Sequence, residues 1–433
     1  MLFWIPDMHS RISRFLKSLG PGILFASTCI GVSHLVQSTR AGALYGFGLL
    51  WAVILANVLK YPFFEYGSRY ANIKGKSIID GYKSMGNWML WLYFLIVLSS
   101  MFFVAAAVGA VTAAFMDNLF GISRWVNSTG NWIPTAGLFT VCIAILLIGA
   151  YKVLDSLIKV IGSVLLISTL VAFVLTLQNG PAAEPYTFFD TSVFEPGKGG
   201  FLFLIALMGW MPTALDLSAW NSLWTLERIR QTGYHPTLRE TLQEFRFGYW
   251  TSAVLAPCFL LLGAYLIYGT EYQLPAGAAA FANAIVELYT QSIGSWSYLL
   301  IAASAFSIMF GTCIAVFDGY SRAMERILQL LPAKADTGSQ PSNGRYYRIA
   351  LLAIAAGALL IIFRFGTSLK ALVDLSTTIS FVVAPLIAVV NFRLVMRRNI
   401  NDTQKPGILM QFLSYAGILF LTVFSIVYIW WVI

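Results

Sequence analysis

Long, continuous apolar stretches are the feature that most limits what this chain can fold into. A helix that crosses the hydrocarbon core of a bilayer needs about 20 mostly apolar residues, and eleven stretches of the 433-residue sequence qualify. Strands of a membrane β-barrel would instead alternate in hydropathy over segments of about ten residues. The stretches therefore predict membrane-spanning helices, which we number as spans 1 to 11. They cover roughly residues 21–44, 47–66, 88–116, 133–150, 154–177, 200–223, 248–269, 294–317, 347–364, 369–395 and 407–432.

Composition supports one integral-membrane domain. Hydrophobic residues make up 58% of the chain and charged residues 11%, and the mean hydropathy is +0.74. A soluble domain is about half apolar and about a quarter charged. Because no polar linker divides the chain, we predict a single transmembrane domain over residues 1–433, with inside loops at about 225–247 and 328–346.

Lysine and arginine are unevenly distributed between the connections. Cytoplasmic loops carry an excess of these residues, and a cytoplasmic N-terminus makes every inside loop basic. This predicts a protein of the bacterial inner (plasma) membrane, and it accounts for the net charge of +9 without a nucleic-acid partner. Glu65 and Arg69, spaced i to i+4 at the inside end of span 2, predict an interfacial ion pair. The inside loops contain Arg11, Arg14, Lys17, Arg69, Lys74, Lys76, Lys83, Lys152, Arg228, Arg230, Arg239, Arg322, Arg326, Lys334, Arg345, Arg348, Arg397, Arg398 and Lys405, whereas the outside loops carry the acids Glu184, Asp190, Glu195 and Glu271.

Few residues suit catalysis or a resident cofactor. Cys29, Cys142, Cys258 and Cys313 each lie within an apolar run and lack CxxC spacing, which predicts small core residues. The chain has only three histidines, and it contains no GxxxxGK[ST] phosphate loop. The N-terminal segment lacks the cleavage site of a removable signal peptide. We therefore expect no enzymatic activity, no cofactor and no ATP-driven pumping.

Two spans are interrupted at membrane depth. Gly31–His34 breaks the apolar run of span 1, and Gly209–Thr213 breaks span 6. Pro212 removes a backbone donor and clashes with the carbonyl four residues earlier. Since lipid cannot satisfy freed backbone groups, such breaks persist where they line a cavity. Spans 1 and 6 correspond if the fold is two inverted five-helix repeats plus an extra helix, an arrangement that binds a solute between two discontinuous helices.

Polar side chains accompany both breaks. His34 lies just past the first break, and Asp216 follows Thr213 by three residues on the same helical face. An ionisable residue inside a membrane helix is a functional hypothesis by default. The alternative for His34 and Asp216 is a structural hydrogen bond to a neighbouring helix, and for Met211 it is core filling. The sequence leaves both interpretations open.

Four short motifs stand out along the chain. They are Gly20-Pro21-Gly22 followed by Arg40-Ala41-Gly42-Ala43-Leu44-Tyr45-Gly46-Phe47, then Leu49-Leu50-Trp51, Met211-Pro212 in span 6, and Leu375-Ser376 with Pro385 in span 10. In these motifs, in span order and in loop lengths, the chain resembles Nramp-type divalent metal transporters along nearly its whole length.

The resemblance implies a LeuT-like, all-α fold of two inverted five-helix repeats plus an eleventh transmembrane helix. It also implies a metal bound midway between spans 1 and 6 and proton-driven import. The aspartate and asparagine of the family's Asp-Pro-Gly-Asn motif fall on Gly31 and His34 in this chain. The span 6 histidine falls on Thr213 and the span 10 glutamine on Thr377, so that only Met211 remains of the usual side-chain ligands.

These substitutions change the chemistry of the predicted site. The imidazole of His34 and the thioether of Met211 are softer than the oxygen donors that hard divalent ions prefer. Two neutral ligands also leave the charge of a divalent ion uncompensated, and Asp216 is the candidate that would balance it. The acids that serve the family's proton route in span 3 are absent from residues 88–116.

Three functions remain open from the sequence. The first is a secondary transporter whose nominal substrate is a divalent metal, with Gly31, His34, Met211, Thr213, Asp216 and Thr377 at the site. The second keeps the fold and carries a small organic solute or another ion, which Trp210 and Trp220 would contact. The third is a membrane-embedded enzyme or a sensor that does not transport.

Overall fold

The computed structural model describes residues 20–124, 132–148, 167, 169–178, 180–183, 187–195, 199–332, 344–365 and 368–432. This part of the chain contains helices and no β-strand, which agrees with the all-α prediction. The helices are α1 Pro21–Cys29, α2 Thr39–Tyr45, α3 Leu50–Lys74, α4 Ile78–Met85, α5 Asn87–Phe120, α6 Trp132–Ile148, α7 Thr169–Gln178, α8 Gly200–Gly209, α9 Ser218–Thr232, α10 Leu238–Leu266, α11 Ala278–Ile293, α12 Tyr298–Leu330, α13 Arg345–Phe365, α14 Leu369–Val395 and α15 Ile408–Val432.

The helices follow the order of the predicted spans. Among the described residues, six helices are long and apolar enough to cross a membrane, namely α5, α10, α12, α13, α14 and α15. Spans 1 and 6 are each divided, into α1 and α2 and into α8 and α9. Span 2 is the continuous helix α3, which contains Lys60, Glu65 and Arg69. Most of predicted span 5 lies outside the described residues, and its described end is α7.

The predicted loop at 225–247 is narrower in the structure. Helix α9 continues to Thr232, and α10 begins at Leu238. The side chain of Thr237 accepts a hydrogen bond from the backbone of Glu240, and the Glu240 carboxylate accepts one from the backbone of Thr237, which forms a capping box. This cap satisfies amides at the start of α10 and explains why the helix begins before the apolar run. Much of the second predicted loop, residues 333–343, lies outside the described residues.

Both halves of span 1 pack along the single helix α10. A Cβ built on Gly248 would overlap the carbonyl oxygen of Gly22, and one built on Gly263 would overlap that of Thr39. Glycine at these positions lets the helix backbones approach closely, as small residues do in membrane helices. The Glu244 carboxylate accepts hydrogen bonds from the amides of Gly20 and Gly22, at 2.9 and 2.7 Å. A carboxylate at this place satisfies free amides at the N-terminus of α1.

The halves of span 6 pack against different helices. A Cβ on Gly209, at the end of α8, would overlap the carbonyl oxygen of Thr377 in α14. A Cβ on Gly67 of α3 would overlap the carbonyl oxygen of Ser218, where α9 begins. Next to the break in span 6, the end of α8 therefore packs against α14 and the start of α9 packs against α3.

Candidate functional site

The interruption of span 1 overlaps the predicted break, Gly31–His34, at Gly31. Helix α1 ends at Cys29, and Ile30 and Gly31 have non-helical backbone angles. The chain then resumes as a π-helical segment over Val32–Ser38 before α2. A Cβ on Gly31 would lie 2.9 Å from the side chain of Thr312 in α12. Gly31 therefore lets α12 lie directly against the break.

The interruption of span 6 extends further than predicted. Helix α8 ends at Gly209, the backbone is irregular from Trp210 to Ala214, and a single 3₁₀ turn spans Leu215–Leu217 before α9. Thr213 and Asp216 were expected on one helical face, and this expectation is wrong because no α-helix connects them. The irregular backbone around Pro212 redirects the two side chains to different neighbours.

The two breaks meet at Ser33. Its Oγ lies 2.6 Å from the carbonyl oxygen of Cys29 and 3.2 Å from that of Pro212. The hydroxyl group thus contacts backbone carbonyl oxygens of both interrupted spans. Backbone of this kind is tolerated at membrane depth only inside protein or beside a cavity.

A small cavity of about 20 Å³ lies beside the two breaks. This volume is sufficient for about one water molecule, which needs roughly 10–15 Å³, or for one ion of similar size. Within the described structure the hydroxyl group of Thr213 has no hydrogen-bond partner, whereas Ser33, Thr28 and Thr312 bond to backbone carbonyls. The lining contains Thr28, Ser33, Thr213 and Thr312 as hydroxyl-bearing residues, and Val32, Val104, Val108, Trp210, Ala214, Leu217 and Val316 as apolar residues.

His34 turns away from this cavity toward α10. Its Nε2 lies 3.0 Å from the carbonyl oxygen of Ser252, and its Nδ1 lies 2.8 Å from Ser33 Oγ. The ring of Phe259 packs edge-on against the imidazole. In this conformation His34 links the first break to α10, which is the structural alternative that the sequence left open.

The other predicted site residues surround the breaks without lining the cavity. Ser38 Oγ lies 3.9 Å from the sulfur atom of Met211. One carboxylate oxygen of Asp216 lies 3.4 Å from Ser100 Oγ of α5. Thr377 Oγ1 donates to backbone carbonyls within α14, at 2.9 Å from Val373 O and 3.0 Å from Asp374 O. Of the six predicted residues, Thr213 lines the cavity, and Gly31 and His34 flank it through Thr312 and Ser33.

Lys60 is the site residue that sequence reasoning missed. It is fully buried in α3, and its Nζ lies 2.6 Å from the carbonyl oxygen of Met208 and 2.9 Å from that of Gly209. These carbonyls belong to the last turn of α8. The sequence carried the signal, because a lysine within the apolar run of span 2 is itself a functional hypothesis.

An ion pair lies at the start of α2, the half of span 1 that follows the break. Arg40 binds Asp374 of α14 through two hydrogen bonds of 2.8 and 3.1 Å. Gln37 accepts from Arg40 at 2.8 Å and donates to the same Asp374 oxygen at 3.0 Å. The guanidinium group also lies over the ring of Phe203 in α8, 4.9 Å from its centroid. The cluster joins both interrupted spans to α14.

A polar vestibule of about 720 Å³ lies at the opposite end, beside the C-terminal ends of α3, α9 and α12. At the wall of this vestibule, Arg322 of α12 pairs with Asp318 at 2.8 Å and with Glu227 of α9 at 3.7 Å. Charged residues lining the vestibule include Lys76, Asp80, Glu227, Arg230, Arg322, Glu325 and Arg326.

The predicted pair of Glu65 and Arg69 is present, with an N–O distance of 2.6 Å. Arg246 of α10 also contacts the buried Glu65 carboxylate, at 3.4 Å. Among the described residues no group of three or more His, Cys, Asp or Glu side chains has metal-binding geometry. The donors available around the breaks are hydroxyl groups, backbone carbonyls and the Met211 thioether.

Comparison with known proteins identifies the family. The model of the natural resistance-associated macrophage protein-like (Nramp) family matches residues 22–431. A protein of Pasteurella multocida is 34% identical over 427 residues, covering 97% of this chain and 93% of the relative. A divalent metal cation transporter of Verminephrobacter eiseniae is 26% identical over 111 residues, 26% of this chain and 24% of its own length. A variant of a manganese transporter from Eremococcus coleocola has a TM-score of 0.72 at 12% identity, covering 98% of this chain and 88% of that one, which confirms the predicted LeuT-like fold. On the family match over nearly its whole length, the chain belongs to the Nramp family.

Proposed function

We propose that this protein is a secondary transporter that moves a small solute across a membrane, with a divalent metal cation as its nominal substrate. The observation that carries the proposal is the meeting of two interrupted helices beside a small cavity lined with hydroxyl groups. Interrupted helices of this kind form substrate and ion sites in secondary transporters. The family match and the names of the two metal-transporting relatives support the same function, and we propose no enzymatic activity.

The substrate site is proposed at the two breaks. Thr213 supplies a hydroxyl group without a partner, Met211 supplies a thioether, and the freed carbonyls supply oxygen ligands. Gly31 lets α12 pack directly against the break in span 1, and the backbone of Thr377 packs against Gly209 at the end of α8. His34 and Asp216, predicted at the site, contact α10 and α5 in this conformation and would become ligands only after a rearrangement.

We propose the bacterial inner membrane as the location, with the N-terminus in the cytoplasm. The positive charges at the inside ends of the spans support this orientation. The vestibule then faces the cytoplasm, and the Arg40–Asp374 pair closes the outer side. On this proposal the protein is closed outside by the Arg40–Asp374 pair, and Arg322 and Glu227 line the vestibule on the cytoplasmic side.

The size of the cavity favours an ion over an organic solute. A volume of about 20 Å³ leaves no room for an organic body in this conformation. Trp210 lines the cavity, but its indole nitrogen donates to Ser380 at 2.9 Å. Trp220 packs edge-on against Tyr320, with a centroid distance of 4.6 Å, and lies outside the cavity lining.

Uptake into proteoliposomes tests the proposal. Purified protein would be assayed with Mn²⁺, Fe²⁺, Cd²⁺ and Mg²⁺, each with and without a pH gradient. We expect uptake of at least one divalent ion, and Met211→Leu should weaken uptake of the softer ions while conserving side-chain volume. Met410→Leu in α15 is the matched control and should leave uptake unchanged. Absence of uptake for every ion, in protein that retains its thermal melting transition, would refute metal transport.

A further inference from the structure

The side chain of Lys60 places a positive charge at the interruption of span 6. Its side chain is fully buried in α3. The ammonium group donates to two successive carbonyls, those of Met208 and Gly209, and the ring of Phe381 lies 6.0 Å away. Because transfer of an unpaired ammonium group out of water is costly, this placement depends on the two carbonyls.

The carbonyls that Lys60 contacts are a natural place for a cation. Met208 and Gly209 end α8, where the last carbonyls of a helix lack their regular partners within it. The Met208 carbonyl also accepts a hydrogen bond from the amide of Met211, at 3.3 Å. The C-terminal end of a helix also carries partial negative charge, which attracts cations. In transporters with interrupted helices, freed carbonyls and half-helix C-termini coordinate the transported ion. The ammonium group of Lys60 occupies such a position here.

An acidic side chain acts on the positive charge of Lys60. The acidic group that acts electrostatically on the ammonium group is Asp216, in the 3₁₀ turn beyond the break. With Lys60 in place the carbonyls and Asp216 face one positive charge. A divalent ion at the same carbonyls would have to coexist with that charge or replace it.

We propose that the Lys60 ammonium is a tethered cation that competes with the transported ion for the carbonyls of Met208 and Gly209. The inference rests on the proposed function, since it assumes that the span 6 break is the ion site. An incoming divalent cation gains these two oxygen ligands only when Lys60 leaves them. Lys60 thereby keeps the empty site charge-balanced and lowers its affinity for divalent ions.

The alternative is that Lys60 only caps α8. A cap contributes to stability, and its removal takes the ammonium donor away from the buried Gly209 carbonyl, whereas the Met208 carbonyl keeps the amide of Met211. Both roles predict that neutral variants are less stable. Only competition predicts that a neutral variant binds a divalent cation more tightly, so affinity separates the two roles.

Isothermal titration calorimetry with Mn²⁺ on the purified full chain tests the proposal. Lys60→Gln removes the charge and keeps a donor for one carbonyl, and it should bind Mn²⁺ at least about tenfold more tightly than wild type, because a unit charge a few ångströms away no longer repels the ion. Lys60→Arg keeps the charge and should not gain affinity. Lys74→Gln is the matched control, since this exposed lysine of α3 also donates to a backbone carbonyl, that of Asn399, and should not alter affinity.

Lys60→Met is a second neutral variant that retains the volume of the aliphatic stem, should Lys60→Gln fail to fold. Equal Mn²⁺ affinity in wild type and in a folded neutral variant would overturn the proposal. An equal gain in Lys60→Arg would overturn it as well.

Uptake by the wild-type protein separates the inference from the proposed function. If wild type transports Mn²⁺ and neutral variants gain no affinity, the tethered cation is refuted and transport stands. If wild type transports no divalent ion but a neutral variant binds Mn²⁺, the metal-transport proposal fails and the competition by Lys60 stands. If wild type transports none of the four divalent ions and no folded neutral variant binds Mn²⁺, both are refuted.

Discussion

Replacement of Asp374 by asparagine should open the outer side of the protein. Asp374→Asn removes a bidentate, charge-assisted pair with Arg40, whose side chain is 7% exposed while that of Asp374 is 29% exposed. Hydrogen bonds to charged groups contribute about 1.5–3 kcal/mol, and partial exposure reduces this value. With Gln37 still able to bond the asparagine, we expect a loss of about 2 kcal/mol in the closed state. That loss corresponds to about a 30-fold shift toward open conformations, at 1.4 kcal/mol for each factor of ten.

Cysteine accessibility measures this shift. Thr377, three residues after Asp374 in α14, is fully buried and would be replaced by cysteine in a variant whose four buried native cysteines are removed. A membrane-impermeant thiol reagent should modify this cysteine up to about 30-fold faster when Asp374→Asn is added, since the rate follows the open population. Asp402→Asn is the matched control because Asp402 also forms an ion pair, with Lys405, but is 93% exposed. Equal modification rates in all three proteins would refute the closing role of the Arg40–Asp374 pair.

Three further changes test the packing and the site. Gly248→Ala should lower the thermal melting temperature in detergent, because the new methyl group overlaps the Gly22 carbonyl oxygen. The control Gly137→Ala, with no atom within 4 Å of its Cβ, should leave the melting temperature unchanged. Equal melting temperatures for the two variants would contradict the close packing. His34→Ala should destabilise the protein by about 1–3 kcal/mol through loss of its buried hydrogen bonds, and a variant of unchanged stability with abolished Mn²⁺ binding would show that His34 is a ligand instead. Thr213→Val should reduce uptake without lowering the melting temperature, because it removes a hydroxyl group that has no protein partner; unchanged uptake would place the substrate elsewhere.

The sequence predicted the features that depend on long-range hydropathy and on proline. The apolar runs located the spans because hydrocarbon requires about 20 apolar residues wherever a helix crosses it. Pro212 marked the break in span 6 because its effect on the helix is local. The interrupted apolar run located Gly31 in span 1 in the same way, although the break begins at Ile30, which was assigned to the run, and the helix resumes at Val32.

Side-chain directions around the breaks could not be predicted in the same way. The rule that residues three apart share a helical face applies only within a helix, and the irregular segment from Trp210 to Ala214 removes that condition for Asp216. His34 turns toward Ser252, a contact between residues 218 positions apart in sequence. Lys60 was missed for a different reason: its neighbours in sequence are apolar, and its two acceptors are backbone carbonyls, which no residue pattern reveals.

The shared partner of the two halves of span 1 restricts how the protein can move. Gly22 abuts Gly248 in the first half of α10, and Thr39 abuts Gly263 near its C-terminal end, so the angle between α1 and α2 is fixed as long as α10 is straight. A proline, Pro257, lies inside α10 between these two contacts. Proline kinks are a defined cause of helix bending. Any change in the angle of the first break therefore requires a matching bend in α10, and Pro257 is where that helix can supply it.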